Sequence, residues 1–552
     1  MTVTGAQLLV DILERQGVRL VAGIPGGAIL PIYDALAHSR CIRHVLVRHE
    51  QGAGFVAQGF ARVTGEAGVC LASSGPGVTN LLTAVADAMH DSIPLVVITG
   101  QVPRSLMGTN AFQEVDTHGL SKLVTKYSVT VRTANELAAV IPRAFRIATS
   151  GRPGPVWIDI PKDVQTETVS LSRADMGADD KEARFAVSEA LVSQAADWID
   201  GALRPVLYLG GGLVHAEATA AARELAERQD IPAVMTLMAL GTLACDHPLS
   251  LGMLGMHGAY ATHKALQEAD LLITLGARFD DRATGKLSAF CPQAKVIHVD
   301  IDPRELGKLR VANLAIEGHL KTVLDGLLAS LPSKHRPIWR QRLQLLREAH
   351  PVRTDHARAP RALITQVAKS APLDAIVVTD VGQHQMWVAQ YYPLRGPRLW
   401  LTSGGLGTMG FGLPAALGAA LAYPDRTVIC FTGDGSLLMN IQELATICEQ
   451  DVNVKVVVMD NQSLGLVAQQ QALFYEKRAF ASTFVRATDY VAIARSFGIP
   501  AFDVRDKAGN TSFWRDILTT RGPCLIRAAI DVGDHVLPIV PPGAANCEAI
   551  GG

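Results

Sequence analysis

The clearest chemical pattern in the sequence is a carboxylate and an amide that each follow a predicted strand. The apolar run TVICFT leads into Gly433-Asp434-Gly435-Ser436, and the run VKVVVMD leads to Asn461. The two side chains are about 27 positions apart, the length of a strand–helix–strand unit, so both are expected at the carboxyl ends of neighbouring parallel strands. Such oxygens suit magnesium bridging to phosphate, and a helix start at Ser436 favours a diphosphate. The pattern predicts a metal–diphosphate site, with an ordinary strand-to-helix turn as the alternative.

Several common catalytic signatures are excluded by single residues. His49-Glu50 lacks the second histidine of the H-E-x-x-H zinc motif, because Ala53 occupies that place. Gly285-Lys286 is followed by Leu287 and is therefore not a phosphate-binding P-loop, and the sequence contains no G-x-S-x-G elbow. Zinc proteases, P-loop NTPases and serine hydrolases are poor candidates.

The elements that must position the site alternate between short β-branched runs and helical patterns. This alternation is typical of parallel sheets with helices on both faces, so we expect an α/β fold of three doubly wound parallel-sheet domains, at residues 1–170, 186–332 and 360–552. A polar linker is predicted at 171–184, and a basic stretch at 334–361 is interpreted as a connecting helix, with nucleic-acid contact as the alternative. A helical pattern from 437 to 450 follows the Asp434 turn. The predicted strands are VRLVAGIP, GVCLASSG, PLVVITGQ, PVWIDIPK, PVLYLGGG, IPAVMT, LLITLGAR, KVIHVDID, AIVVTDVG, TVICFTGDG, VKVVVMDN and CLIRAAID.

Composition limits the class of protein and of ligand. Among 552 residues, 51 Lys and Arg nearly balance 52 Asp and Glu, so no global charge points to nucleic acid or an anionic membrane, and a small ligand is favoured. The eight cysteines form no C-x-x-C pair, which favours a reduced, intracellular protein. The first residues predict an amphipathic helix and not a signal peptide, so we expect a cytoplasmic protein. The uncharged stretch 399–424 is rich in glycine and predicts a buried turn and helix, with a membrane span as the weaker alternative.

The motifs around this site resemble those of one enzyme family. The G-D-G-S turn followed by an asparagine resembles the thiamine-diphosphate signature, and nearly the whole chain is similar to the catalytic subunit of acetohydroxyacid synthases, also called acetolactate synthases. The matching motifs are GIPGGAILPIYDAL, RHEQGAGFVAQGFAR, SSGPGVTNLLT, AFQEVD, GRPGPVWIDIPKDV, LGMLGMHG, ARFDDRATGKL, TDVGQHQMW, SGGLGTMGFGLPAA, LFYEKR and VPPGAAN.

The resemblance implies a transferase that decarboxylates pyruvate on thiamine diphosphate and condenses the hydroxyethyl carbanion with a second 2-keto acid. With pyruvate as acceptor the product is 2-acetolactate, in branched-chain amino acid biosynthesis; 2-ketobutyrate is a further acceptor. It also implies Mg²⁺ and FAD, the flavin being bound without turning over. Glu50 would then hydrogen-bond the aminopyrimidine and promote formation of the ylide. Glu50 opens a helical run rich in alanine and glycine, where partial burial favours a carboxyl group that holds a proton, although alone it would be expected to pair with Arg48 at the surface.

The resemblance assigns roles residue by residue. The catalytic set is Glu50, Gly27, Gln113, Lys162 and Arg282. Acceptor binding falls to Phe112, Met256, Arg282 and Gln470, with Lys162 at the entrance; an arginine fork suits a carboxylate, although Arg282 alone would be expected to pair with Asp280 and Asp281. The resemblance implies that thiamine diphosphate is bound by Glu50, Pro76, Asn80, Val381, Gly382, Gln383, His384, Gly407, Met409, Gly433, Gly435 and Ser436. It implies that FAD is bound by Arg152, Gly211, Gly212, Leu237, Met238, Arg278, Asp300 and Ile301. The metal ligands would be Asp434, Asn461 and Ser463. For the glycines a tight turn, and for Met409 a core contact, remains the alternative.

Three residues depart from the pattern of the family. Gln470 stands where a tryptophan commonly favours 2-ketobutyrate, and a polar amide does not fill an apolar slot equivalently. Leu466 replaces a methionine, and Asp460 replaces the first of two adjacent asparagines while Asn461 is kept. The first two changes leave acceptor preference open, and the third is compatible with metal binding.

The resemblance extends to partners and leaves two alternative functions. Glu50 and Asp434 meet across a subunit interface in this fold class, so a homodimer or homotetramer is expected, and a small regulatory subunit is a further expectation of the family. A pyruvate-oxidase-like enzyme, whose flavin accepts electrons, is one alternative. The other is a related carboligase with a different acceptor, or a non-catalytic or repurposed paralogue that keeps the cofactor site but has lost the original acceptor pocket. The substrates are small 2-keto acids, with no nucleic acid or membrane partner.

Overall fold

The fold is known from a computed structural model that describes residues 2–170, 187–352, 356–504 and 509–551. The predicted linker at 171–184 lies outside these residues. Three six-stranded parallel sheets with flanking helices form the frame, which confirms the predicted fold class. Every predicted strand is present.

The first sheet has the strand order β3-β2-β4-β5-β7-β6, and a short antiparallel pair, β1 with β8, lies outside it. Its strands are β1 (Thr2–Thr4), β2 (Leu20–Gly23), β3 (Arg43–Leu46), β4 (Gly68–Ala72), β5 (Leu95–Gln101), β6 (Tyr127–Thr130), β7 (Pro155–Pro161) and β8 (Thr168–Ser170). Its helices are α1 (Gly5–Arg15), α2 (Leu30–Leu36), α3 (Glu50–Thr64), α4 (Pro76–Asp91), α5 (Thr117–Ser121), α6 (Leu137–Thr149) and α7 (Lys162–Thr166). The predicted N-terminal helix is α1, which buries one apolar face.

The second sheet has the order β11-β10-β9-β12-β13-β14. Its strands are β9 (Pro205–Leu209), β10 (Ala233–Met235), β11 (Ser250–Met253), β12 (Leu271–Leu275), β13 (Lys295–Asp300) and β14 (Leu314–Glu317). Its helices are α8 (Glu189–Gly201), α9 (Gly212–His215), α10 (Thr219–Gln229), α11 (Tyr260–Glu268), α12 (Asp281–Thr284) and α13 (Leu320–Ser330); the connecting helix is α14 (Pro337–Ala349).

The third sheet has the order β16-β15-β17-β18-β20-β19. Its strands are β15 (Ile376–Thr379), β16 (Trp400–Leu401), β17 (Val428–Gly433), β18 (Val454–Asp460), β19 (Ala501–Asp503) and β20 (Cys524–Ala529). Its helices are α15 (Arg358–Ser370), α16 (Gln383–Tyr391), α17 (Gly412–Ala422), α18 (Asp434–Leu437), α19 (Glu443–Gln450), α20 (Gly465–Phe474), α21 (Tyr490–Ser496) and α22 (Thr511–Thr519).

The helix predicted at 437–450 is divided in the structure. α18 ends at Leu437 and α19 begins at Glu443. Between them Asn440 is buried, and its side-chain amide donates to the carbonyl of Gly410 at 2.7 Å. The backbone N–H groups of Met439 and Asn440 donate to carbonyls three positions back, of Ser436 and Leu437, at 3.2 Å each, so the α-helical pattern is interrupted there.

Two buried helices join the first and third sheets. α3 and α17 pack at van der Waals distance because glycine faces backbone at the crossing: Gly59 lies against Ala415, and Gly418 lies against Val56. Their apolar residues share one core with the facing sides of both sheets, and the other side of the third sheet shares a core with the second. The uncharged stretch 399–424 contributes β16 and the helix α17 to this interior, as predicted, but the glycine turn between them, expected to be buried, is exposed at 404–407. Within the described part of the chain, no helix is both long and apolar enough to cross a bilayer.

Candidate active site

The predicted metal ligands lie at the carboxyl ends of β17 and β18, which pair directly in the third sheet. Asp434 begins α18 and is 2% exposed, and its Oδ2 accepts from the backbone N–H of Ser463 at 3.1 Å. Asn461 Oδ1 accepts from the same N–H at 3.2 Å and from the Ser463 hydroxyl at 3.0 Å. The carboxylate and the amide oxygen therefore flank one N–H group, as the strand–helix–strand spacing predicts.

The chemistry of this turn fits a cation and a diphosphate. Burial, and then the neighbouring charge of Asp460, raise the pKa of Asp434 well above its usual range, so a cation beside this carboxylate would stabilise its charged form. Burial lowers the pKa of His384 to about 3, and its Nε2 has no hydrogen-bond partner among the described residues. A buried neutral imidazole without a partner is suited to a polar ligand atom, since such groups are rarely left unpaired.

Asp460 adds a second buried carboxylate directly behind the turn. It accepts from Arg527 Nε at 2.7 Å and from the backbone N–H of Gln462 at 3.1 Å, and Arg527 also donates to Asp503 at 2.9 Å. The extra negative charge is thus balanced by a guanidinium within the same domain. Asp460 is thus paired with Arg527, and the sequence-based prediction that this departure is compatible with metal binding stays a prediction.

A buried aspartate fixes the loop that carries Gly407 and Met409. Asp380, just after β15, accepts from the backbone N–H groups of Val381, Gly410 and Gly412 at 2.8, 2.8 and 3.1 Å. Burial raises the pKa of Asp380 to about 6 despite these three bonds. The Ser436 hydroxyl donates to the carbonyl of Val381 at 2.7 Å. The segments after β15, β16 and β17 are therefore held at one edge of the sheet.

Glu50 begins α3, close to the carboxyl end of β3 in the first sheet. It is half-buried, and its Oε2 accepts from Asn80 Nδ2, on α4, at 2.9 Å. The expected surface pair with Arg48 is not formed, because Arg48 donates to Glu449 Oε2 at 2.5 Å. The start of α3 is fixed by Glu443, which is fully buried and accepts from the N–H groups of Arg48 and His49 at 3.0 and 3.1 Å. Sequence reasoning missed Glu443, since its partners lie almost four hundred positions away.

Two other predicted residues of the first domain, Pro76 and Gln113, lie at the start of α4, the helix whose Asn80 contacts Glu50. Pro76 begins α4, and a Cβ placed on Gly75 would lie 2.9 Å from Gln113 Cβ. Gly27 is exposed, with open space around its α-carbon. Phe112, beside Gln113, is 87% exposed. Gly27 and Phe112 are thus both uncovered in the single chain.

Within one chain, the described polar contacts do not connect the first-domain group with the third-domain group. Among the described residues, no hydrogen bond or ion pair joins Glu50 or Asn80 to the turn of Asp434 and Asn461. Apolar side chains beside the third-domain loops are also uncovered: Leu406 is 42%, Leu438 39% and Met439 52% exposed.

The structure brings two of the predicted acceptor residues together. Arg282, on α12, lies with NH1 3.7 Å from Met256 Sδ, and its side chain is 68% exposed. The expected ion pairing is weak, because Arg282 Nε is 3.7 Å from Asp281, whose side chain is 82% exposed, while Asp280 accepts from backbone N–H groups at the start of α12. Among the described residues, Arg282 makes no hydrogen bond or ion pair with Phe112, with Lys162 at the end of β7, or with Gln470 on α20. Gln470 is exposed, while its neighbour Gln469 is buried and accepts from Gln383 at 2.9 Å.

A large cavity of about 1510 Å³ lies at the junction of the three domains. Its lining contains the predicted residues Arg152, Gly211, Gly212, Met238, Arg278, Asp300 and Ile301. Leu237 is not among the lining residues; its carbonyl accepts from Trp400 Nε1 at 2.9 Å. The approach of α9 to the loop after β12 excludes side chains there, since a Cβ on Gly212 would lie 2.8 Å from Gly276 Cα. The size of the cavity, its glycine turn and its guanidinium groups fit a dinucleotide such as FAD.

A buried charge cluster lies between this cavity and the third-domain loop. Arg62 donates to Asp91 at 2.8 Å and to Asp87 at 3.3 Å. Asp91 also accepts from the N–H groups of Gly404 and Gly405 at 3.1 and 2.6 Å. Sequence reasoning missed this cluster, because its members lie on α3, α4 and a loop more than three hundred positions later.

Comparison with known proteins gives matches over the whole chain. Residues 3–120, 192–327 and 380–528 match the N-terminal TPP-binding, central and C-terminal TPP-binding domains of thiamine pyrophosphate enzymes. The chain is 56% identical over 551 residues to the acetolactate synthase isozyme 1 large subunit of Escherichia coli, covering 99% of this chain and 98% of that protein. It is 47% identical to the isozyme 2 large subunit of the same organism, covering 99% of each. It is 45% identical to the acetolactate synthase large subunit of Parasynechococcus marenigrum, covering 100% of this chain and 91% of that protein.

Proposed function

The chain belongs to the family of acetolactate synthase large subunits, which are thiamine-diphosphate-dependent enzymes, and from that premise we propose which residues carry each part of the reaction. It catalyses acetolactate synthesis, in which two pyruvates combine with loss of carbon dioxide to give 2-acetolactate. The observation that carries the assignment of the site is the pairing of Asp434 and Asn461 around one N–H, next to the unpartnered Nε2 of His384 in the described structure.

Thiamine diphosphate, when bound, supplies the carbon nucleophile for pyruvate and the electron sink for decarboxylation. We assign its diphosphate to the turn of Gly433–Ser436 and to His384, whose burial keeps the imidazole neutral and able to donate. Asp434 and Asn461 would hold Mg²⁺ between the protein and the diphosphate, since the cation prefers such oxygen ligands and shares them with phosphate.

Glu50 is assigned to proton transfer at the pyrimidine of the cofactor. Asn80 fixes one of its carboxylate oxygens at 2.9 Å, which leaves the other free for a ligand. Glu443 holds the first turn of α3, so the position of the carboxylate is set by buried contacts and not by the surface. A carboxylate oriented in this way can hold and return a proton at one atom of a bound base.

FAD is proposed for the junction cavity, where it would act as a structural cofactor. Arg152 lines the cavity and is itself held by Glu305 at 3.0 Å and Ser92 at 2.8 Å. A pre-oriented guanidinium is suited to phosphate oxygens. The cavity also borders the cluster of Arg62 and Asp91, which fixes the loop before Gly407.

Arg282 is proposed to bind the carboxylate of the second 2-keto acid. Its guanidinium is exposed, and its contacts with Met256 and Asp281 are long, so both edges of the fork remain available to a ligand. Phe112, Gln113, Gly27 and Lys162 are proposed to complete the entrance, which requires a second copy of the chain because they do not contact Arg282 in the described single chain.

The functional assignment is tested by product analysis with the purified protein. With thiamine diphosphate, Mg²⁺ and FAD, we expect one acetolactate for every two pyruvates consumed, and no activity after a chelator removes the cation. The protein should also release FAD on denaturation. Failure to form acetolactate would contradict the proposal, and oxygen uptake stoichiometric with pyruvate would support the oxidase alternative instead.

Gln470→Trp is expected to shift acceptor choice toward 2-ketobutyrate. The exposed amide at this position offers no apolar surface to an extra methyl group, whereas an indole does. One added methylene in an apolar pocket is worth about 10-fold in discrimination, so the ratio of 2-aceto-2-hydroxybutyrate to acetolactate should rise by about that factor. The measurement is a competition between the two acceptors, with Gln471→Trp, one position along α20, as the control. An unchanged ratio would show that Gln470 does not set selectivity.

We further propose that the active unit is at least a homodimer. The uncovered Leu406, Leu438 and Met439, and the separation of Glu50 from Asp434 in one chain, are both accounted for by a second copy that completes each site. Relatives named as large subunits imply a smaller partner for those proteins, and we extend a small regulatory subunit to this chain on that basis.

A further inference from the structure

The last residues of the chain leave the third sheet and return across the second domain. Residues 538–550 form a closed loop, in which Ile539 and Ile550 exchange two backbone hydrogen bonds of 3.1 and 2.8 Å. We call this segment the C-terminal strap. Ile539, Val540, Ala545 and Asn546 are all buried within it, so the strap is packed against the domain and does not lie loosely on its surface.

One end of the strap holds the turn that carries Met256. The N–H of Val540 donates to the carbonyl of Met256 at 2.9 Å, and the ring Nδ1 of His257 lies 2.9 Å from the carbonyl of Pro538. Met256 in turn donates its own N–H to the carbonyl of Arg282 at 2.7 Å. The strap, the Met256 turn and the Arg282 turn therefore form one hydrogen-bonded stack.

The other end of the strap closes the short helix that carries Arg282. α12 has only four residues, too few to be stable without outside contacts, and Asp280 fixes its start. Its end is fixed by Asn546, whose Nδ2 donates to the carbonyl of Ala283 at 2.9 Å. Gly285, at φ +56°, allows this approach, because a Cβ there would lie 2.6 Å from Asn546 Oδ1.

The orientation of Arg282 depends on this backbone. Its side chain is 68% exposed, and the side-chain contacts recorded for it in the described structure, to Met256 and Asp281, are both 3.7 Å long. Such contacts do not restrain a long side chain, so the part of its placement that the protein fixes is the position and direction of the Cα–Cβ bond on α12, from which the guanidinium reaches out.

We propose that Asn546 is a positioning residue for Arg282: by anchoring the end of α12, it directs the guanidinium toward the carboxylate of the second 2-keto acid. This inference rests on the proposed role of Arg282 in acceptor binding. It assigns to the C-terminal strap a part in acceptor recognition, although the strap itself need not touch substrate.

The test compares Asn546→Ala and Asn546→Asp with the parent holoenzyme. The aspartate variant keeps the shape of the side chain but loses the donor to Ala283, so it remains informative if the alanine variant fails to fold. Loss of one buried hydrogen bond that orients a binding group should raise the KM for pyruvate about 5- to 10-fold. We expect kcat to change less than about 3-fold, because groups that act on the first pyruvate are untouched.

Two further measurements separate positioning from general damage. Carbon dioxide release from labelled pyruvate, supplied below the concentration of sites, reports the first half of the reaction and should stay at the parental rate. Thiamine-diphosphate affinity, followed by cofactor titration, should also stay unchanged. Asn453→Asp is the matched control, because Asn453 also donates a side-chain hydrogen bond, to Thr427 Oγ1 at 3.2 Å, but does so at the amino end of the third sheet. The KM of this variant for pyruvate should equal that of the parent enzyme.

The outcomes distinguish the inference from the proposal beneath it. An unchanged KM in both Asn546 variants would overturn the positioning role, as would an equal loss of carbon dioxide release and cofactor affinity. Arg282→Gln serves as the reference variant. If it raises the KM for pyruvate while the Asn546 variants do not, only the positioning role fails; if it leaves the KM unchanged, the acceptor role of Arg282 fails and the inference fails with it.

Discussion

Glu50→Gln is expected to lower kcat by about 10²- to 10⁴-fold, the range over which positioned acid–base groups act. The amide keeps the shape of the side chain and can still contact Asn80, but it cannot take up and return a proton. Binding of thiamine diphosphate should change far less than kcat, because the diphosphate turn lies in another domain. The measurement is kcat from acetolactate formation, together with cofactor affinity by titration.

Glu449→Gln is the matched control for this variant. Glu449 lies near the start of α3, where its Oε2 accepts a hydrogen bond from Arg48 at 2.5 Å, and its side chain is 49% exposed. An exposed pair of this kind contributes little, so activity should remain within about 2-fold of the parent. A Glu50→Gln enzyme with near-parental kcat would show that the carboxylate does not transfer the proton.

Asp434→Asn is expected to weaken the affinity for Mg²⁺ by more than about 100-fold, since loss of even an outer partner of a metal site costs 10- to 100-fold. The affinity for thiamine diphosphate should fall by a matching factor, because each of two coupled ligands raises the affinity for the other by the same factor, and that increase is lost when the cation binds poorly. Activity at subsaturating cation should disappear and return in part at high Mg²⁺. The affinities are measured by titrating each ligand at fixed concentrations of the other.

Asp425→Asn provides the control at the opposite end of the same strand. Asp425 precedes β17, whereas Asp434 follows it, and the Asp425 side chain is 91% exposed. Both substitutions remove one negative charge from the same domain, but only one removes a ligand. Equal effects of the two variants on Mg²⁺ affinity would reject the proposed metal site.

Mixing the two inactive variants tests whether the site is shared between subunits. A dimer that pairs a Glu50→Gln chain with an Asp434→Asn chain has one site with both defects and one site with neither. Random mixing of equal amounts should therefore restore about a quarter of the parental activity if each site combines two chains. No recovery after subunit exchange would place both residues of a site in the same chain.

The sequence predicted the residues that lie within one strand–turn–helix unit, but not the distant residues that hold these units in place. The strand–turn–helix spacing placed Asp434 and Asn461 correctly at neighbouring strand ends, because both lie within one local unit. Glu443, which fixes the start of α3, gave no such signal, since a buried glutamate within a helical pattern looks like a surface residue until its distant partners are known. The same holds for Asn546, whose partner Ala283 lies 263 positions away.

The strands, too, divide into those that the sequence predicted and those that it missed. Every predicted strand is one of the four central strands of its sheet, and every strand missed by the sequence lies at a sheet edge or in the pair β1–β8. Central strands of parallel sheets are buried on both faces and appear as continuous apolar runs. Edge strands leave a weaker pattern: β16 has only two residues, β14 alternates between buried and exposed positions, and β3 has a single buried residue.

The sequence by itself thus determined the family, the three-sheet α/β class and the placement of Asp434 and Asn461 at the ends of neighbouring strands. Their spacing is local, and hydrophobic burial on two faces leaves a readable pattern. Only the tertiary structure decided that Arg48 pairs with Glu449 and leaves Glu50 to Asn80, that a cavity opens where three domains meet, and that the C-terminal strap closes the Arg282 turn. These depend on contacts between segments hundreds of residues apart, whose free energy arises from packing and burial that no local pattern records.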